Sequence, residues 1–119
     1  MERRPLVRVV ILYLHPLLGE GLARLLAAEP GIEVTAIREG DATGAAVALA
    51  GRPDVVVEER AGGARSATHL EPGFAPLRLF VGIDGTGCAG EDEPMTVDPE
   101  LIVHAVRTLK QRRMGLVTA

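Results

Sequence analysis

Hydrophobic and polar residues fall in blocks of different period along the chain, and those periods predict its elements. Val7 to Leu12 is an unbroken β-branched and aliphatic run. Without alternation it reads as a strand buried on both faces, as in a parallel sheet. His15-Pro16 ends the run, and proline suits a first helical turn. Leu17, Leu18, Gly21, Leu22, Leu25 and Leu26 then recur at helical spacing, with Glu20, Arg24 and Glu29 elsewhere on the wheel. Pro30-Gly31 stops that helix, and Ile32 to Ile37 alternates enough to be an edge strand. Asp41 is placed to cap a short alanine-rich helix through Ala50, closed by Gly51. Pro53 precedes a third strand, apolar at Val55-Val56-Val57 and ending in Glu58-Glu59. A β-α-β-α-β order with short connections predicts right-handed crossovers and a doubly wound parallel sheet.

The regularity then fades. Gly62, Gly63, Pro72, Gly73 and Pro76 leave room for only a short helix or none. Leu77 to Ile83 reads as a fourth strand, and Asp84 to Pro94 is glycine-rich, then acidic, with no helical pattern. Met95 to Val97 suits a very short fifth strand. Asp98 caps and Pro99 starts a final helix that runs to about Arg113. On its wheel Leu101, Ile102, Ala105, Val106 and Leu109 share one face, and Val103 and Met114 lie outside that arc beside Arg107 and Lys110.

Composition narrows the class. The 119 residues suit one domain, with 47% hydrophobic and 24% charged residues. Aromatics are 3% and tryptophan is absent, so leucine, valine, isoleucine and alanine must build the core. Thirteen basic against sixteen acidic residues give a net charge of −3, which argues against a protein that coats nucleic acid. The single cysteine, Cys88, excludes an internal disulfide and any multi-cysteine metal site. No apolar run approaches the roughly 18 residues of a membrane span, and the first residues do not read as a signal peptide. A cytoplasmic protein with no membrane contact is expected.

Candidate chemistry is sparse. Gly85-Thr86-Gly87-Cys88-Ala89-Gly90 matches G-x-G-x-x-G literally. The motif belongs at the first strand-to-helix turn, with a helix behind it to meet phosphate. Here Glu91-Asp92-Glu93 follows, and carboxylates repel phosphate, so a plain loop is the better reading. His15, His69 and His104 lie in separate elements without ligand spacing, so neither metal nor cofactor is expected. Cys88 has acidic neighbours and no cation to lower its pKa. No nucleophile with a positioned base is visible, so an enzyme is not expected. Arg107, Lys110, Arg112 and Arg113 crowd the end of the last helix, where its dipole favours cations. Direct nucleic-acid binding by this chain is not expected either.

Two stretches carry a family resemblance. Arg8-Val9-Val10-Ile11-Leu12-Tyr13-Leu14-His15-Pro16-Leu17-Leu18-Gly19-Glu20-Gly21-Leu22, continuing to Val34, resembles the opening of a response-regulator receiver domain of the NarL type. Arg52-Pro53-Asp54-Val55-Val56-Val57 resembles that family's third strand, and Val97-Asp98-Pro99-Glu100-Leu101 the start of its last helix. The resemblance is good over residues 6–59 and loose over 77–113. It implies a flavodoxin-like (CheY-like) α/β fold: a doubly wound, five-stranded parallel sheet of order 2-1-3-4-5, here with degraded third and fourth helices. The whole chain, 1–119, is then a single receiver-like domain with no output domain in it.

The departures from that family are as informative as the matches. Its magnesium-holding acidic pair falls on Tyr13 and Leu14, and leucine offers no oxygen ligand. Its phosphoacceptor aspartate falls on Glu59, its switch hydroxyl near Gly82, and its fifth-strand lysine is missing. Such a chain implies a non-phosphorylatable pseudo-receiver: a protein-interaction module in bacterial signal transduction or transcriptional control. It would form a homodimer through its first and last helices, or meet a protein partner or a fused DNA-binding domain. Leu26, Val103 and Met114 are candidate dimer contacts, because they broaden the apolar faces; packing against the sheet is the competing reading. With no hydroxyl or lysine to read its charge, Glu59 is expected to be an exposed strand-end carboxylate rather than a mimic of an activated state. The alternative function is a small-molecule sensor that binds an apolar ligand at the rim of Tyr13 and Leu14, in a closed cavity of roughly 300 Å³.

Overall fold

Residues 7–59, 73–74, 76–81, 95–96 and 99–113 are described by a computed structural model. In chain order the elements are β1 (Val7–Tyr13), α1 (Pro16–Ala27), β2 (Ile32–Arg38), α2 (Ala42–Ala50), β3 (Val55–Glu59), β4 (Leu77–Val81), β5 (Met95–Thr96) and α3 (Pro99–Arg113). All strand pairs are parallel, in the order β2-β1-β3-β4-β5. Four of these are full strands. The expected fifth is a two-residue pairing, with Met95 and Thr96 beside Phe80 and Val81 of β4. The order 2-1-3-4 matches the start of the flavodoxin-like arrangement. The expected degraded helices, the glycine motif at 85–90, Gly82 and Met114 lie outside the described residues.

Burial follows from the unbroken apolar runs. β3 is buried throughout and sits between β1 and β4, while exposed positions alternate along β2 at the edge. Because strand side chains point to opposite faces in turn, β1 and β3 supply two cores. On one face Val7, Val9, Ile11, Val55, Val57 and Val81 meet Leu22 and Leu26 of α1 and Ile102, Val103 and Val106 of α3. On the other, among the described residues, Val10, Leu12 and Val56 meet Ile37 of β2 and Ala45, Ala48 and Leu49 of α2. Asp41 caps α2 as expected, its carboxylate accepting from Gly44 N at 2.8 Å.

Two helix faces differ from the sequence reading. Leu26 is 0% exposed and Val103 4%, so both pack inside the domain and cannot serve as dimer contacts from its surface. The inward arc of α3 is centred on Val106 and runs through Ile102 and Val103, which turns Leu101 outward at 56% exposure. On α1, Leu22 and Leu26 face the sheet, while Leu17, Gly21 and Leu25 form an exposed stripe at four-residue spacing. Gly19 is buried against the Tyr13 ring, where an added Cβ would collide with the ring carbons.

The basic end of α3 does more than answer a helix dipole. Arg107 and Lys110 both pair with Glu29, and Lys110 Nζ also donates to Pro30 O at 3.1 Å. Arg107 holds the Glu29 carboxyl below the usual carboxylate range, chiefly by hydrogen bonding. Arg113 Nη2 lies 2.7 Å from Asp54 Oδ1, and Asp54 Oδ2 accepts from Arg8 N at 2.8 Å. These pairs tie α3 to the amino-terminal ends of β2, β1 and β3. The opposite pole, at the carboxyl ends of the strands, is where open α/β sheets place their sites.

Candidate functional site

At that pole β1 runs out through Tyr13 into Leu14 and His15, and β3 ends in Glu58 and Glu59. Alternation along β3 sends the two glutamates to opposite faces of the sheet. Glu59 is 3% exposed, so it is not the exposed strand-end carboxylate that the sequence suggested. Its Oε1 accepts from Leu14 N at 2.8 Å and from His15 N at 2.9 Å, and its Oε2 is bonded to His15 Nδ1. These bonds explain the burial. A carboxylate leaves water at a cost of several kcal/mol and stays buried only where donors replace its hydration.

Those donors come from the start of α1. His15 occupies the N-cap position in extended conformation, and its side chain makes no cap bond to its own helix. Pro16 has no N–H to satisfy, and Gly19 N donates to His15 O at 3.0 Å. The imidazole is thereby left to Glu59. A carboxylate can only accept, so Nδ1 carries the shared proton when Glu59 is ionised. Tyr13 packs against the core, and its carbonyl accepts from Glu39 N at 2.7 Å. Neither Tyr13 nor Leu14 brings a carboxylate to the site, and among the described residues no group of three His, Cys, Asp or Glu side chains is placed to hold a metal ion. Both Glu59 oxygens are thus engaged inside the chain.

Glu58 faces the α2 side, 6% exposed and 3.3 Å from Arg78 Nη2. It lines a groove of about 490 Å³ with Leu12, Glu39, Ala45, Ala46 and Leu49, among others. The groove opens to solvent past the exposed residues Arg38, Glu39 and Asp41. It differs from the expected closed cavity, because Tyr13 and Leu14 do not line it. Burial, then the charges of Glu58 and Glu59, push the Glu39 carboxyl above the usual carboxylate range.

Sequence reasoning located Glu59, Tyr13 and Leu14 at this pole, but it read His15 as a strand breaker without ligand spacing and did not pair it with Glu59. It gave Glu39 and Glu58 no role. The available signals were the doubled glutamate closing an apolar strand and a histidine immediately before a helix-starting proline. Among the described residues, no helix is long and apolar enough to cross a membrane.

No protein-family model matches the chain, and no curated protein matches it. Solved structures do. A crystal structure described as that of a pilus assembly-related protein from Burkholderia pseudomallei aligns over 94% of this chain and 95% of its own, with a TM-score of 0.53 and 11% identity. The response regulator domain of Thermotoga maritima CheB aligns over 98% of this chain and 100% of its own, with a TM-score of 0.49 and 12% identity. At such identity the Burkholderia alignment speaks for the fold alone: this chain shares the overall architecture of that protein, a parallel α/β sheet with helices.

Proposed function

We propose that this chain is a non-enzymatic pseudo-receiver that works without phosphorylation, as a protein-interaction and dimerisation module in cytoplasmic bacterial signalling or transcriptional control. The observation that carries this reading is the closure of Glu59. Phosphoryl transfer to a carboxylate needs a free oxygen as nucleophile and a cation against the phosphate charge. Here both oxygens are held by Leu14, His15 and the His15 ring, and Tyr13 and Leu14 stand where the family keeps its metal ligands.

The contact surface is again assigned to the first and last helices, but to different residues. With Leu26 and Val103 inside the domain, Leu17 at 91% exposure, Leu25 at 43% and Leu101 at 56% supply the apolar side chains there. Sedimentation of the protein with and without Mg²⁺ and beryllofluoride tests the reading. The expected result is a dimer whose mass responds to neither addition and which dissociates in Leu17→Glu. A mass that changes with beryllofluoride, or a monomer at all concentrations, overturns it. A small-ligand role is the second reading, favoured by the groove under α2 rather than by the Tyr13–Leu14 rim.

A further inference from the structure

We propose that the groove between α2 and the carboxyl ends of β1 and β2 binds a small organic cation, an alkylamine whose chain lies on Leu12, Ala45, Ala46 and Leu49 and whose ammonium faces Glu39. The inference rests on the second, small-ligand reading and not on the dimer.

The cavity has a sequence cause. α2 is Ala-Thr-Gly-Ala-Ala-Val-Ala-Leu-Ala, and it lays mostly methyl groups on the sheet. Val47, one of its two larger apolar residues, points to solvent at 70% exposure. Among the described residues, the face beneath holds Val10, Leu12 and Val56 as buried core, and a seam stays open there where the other face is filled by leucine, isoleucine and valine. A volume of about 490 Å³ is within the range of small-molecule sites. Its floor is apolar, which suits a hydrocarbon chain.

Charge selects the head group. Asp41 is engaged as the α2 cap and Glu58 pairs with Arg78, but the Glu39 carboxylate has no hydrogen-bond or ion-pair partner among the described residues. Glu58 and Glu59 add to the negative potential around it, and after burial their charges help push the Glu39 carboxyl up. An anion would meet the same field as repulsion. A divalent metal would need converging ligands, and none are so grouped among the described residues. A monovalent ammonium needs one uncompensated carboxylate and a greasy wall, and the groove has both. Arg38 at the mouth opposes a second positive charge.

The test titrates the full chain with n-hexylamine, hexan-1-ol, hexanoate and Mg²⁺, following backbone amide shifts by NMR. Hexylamine should bind saturably and move the amides of Leu12, Ala45, Ala46 and Leu49. Glu39→Gln should weaken it by about three- to fivefold, as expected for a solvent-facing ion pair. Ala46→Leu, at an exposed position, should fill the groove and abolish binding while the remaining amide spectrum shows the fold intact. Equal binding of hexanol or hexanoate, indifference to Glu39→Gln, or displacement by Mg²⁺ would overturn the proposal, as would a lack of saturation. Failure here leaves the sedimentation result untouched, and a failed dimer test leaves the amine titration equally untouched.

Discussion

Replacing Glu59 with alanine is the most direct probe of the closed site. The side chain is 3% exposed and accepts two backbone N–H groups, from Leu14 and His15, at 2.8 and 2.9 Å, besides the His15 ring. Hydrogen bonds to a charged group contribute about 1.5–3 kcal/mol each. Two terms offset that sum. The carboxylate's own desolvation cost disappears with it, and the freed N–H groups lie where Leu14 is half-buried and His15 exposed, so water reaches them. A net loss of about 2–4 kcal/mol remains, a sizeable share of the roughly 5–15 kcal/mol that hold a domain together. His15→Ala should cost under about 1 kcal/mol, because its ring is 60% exposed and the backbone donors keep their acceptor. Glu59→Gln should fall between the two, since its carbonyl can still take both N–H groups. Urea melts of the three variants at neutral pH measure this order. An alanine variant within about 0.5 kcal/mol of wild type would refute the reasoning, and so would a His15→Ala loss as large as that of Glu59→Ala.

Two further outcomes follow from burial and charge. Leu26→Ala should cost about 2–4 kcal/mol, as for other fully buried leucines, while Leu17→Ala stays within about 0.5 kcal/mol; urea midpoints in the opposite order would return Leu26 to the surface. Glu39 has its folded pKa raised above the ordinary 4.5, so its stabilising contribution is complete below the unfolded value and is lost as pH rises through the folded value. Glu39→Gln should therefore melt at higher urea than wild type at about pH 7 and lose that advantage at about pH 3.5; a less stable variant at neutral pH would contradict the sign.

How much of this could be read in the sequence depended on how local each feature is. The strand at Val7, the helix from Pro16 and the Asp41 cap are set by residues within a turn or two, so period and capping chemistry placed them closely. The inward face of α3 was misplaced because Leu101, Ile102, Val103, Ala105, Val106 and Leu109 spread apolar side chains over most of the wheel. Only packing against β1 and α1 decides between Leu101 and Val103, and that is long-range information. Glu59 shows the same limit. Counting six residues from Pro53 finds the position, but its donors arrive from residues 44 and 45 positions earlier in the chain. Whether the carboxylate would be solvated or enclosed depended on that loop. The groove was missed for a related reason: alanine content marks a helix as weakly filling, but not which strands it fails to cover.

The unequal covering of the two faces also orders the protein's breathing. α1 and α3 close over an eleven-residue buried cluster and are tied to each other and to the strands by Glu29 and Asp54, so their release approaches global unfolding. Among the described residues, α2 covers three buried strand residues with two alanines and one leucine, and no salt bridge binds it. Local opening takes the route with least apolar contact to lose. The amides of α2 should therefore exchange with solvent long before those of β1 and β3, making that helix a separately opening unit hinged at Gly40 and Gly51 rather than a fixed wall of the domain.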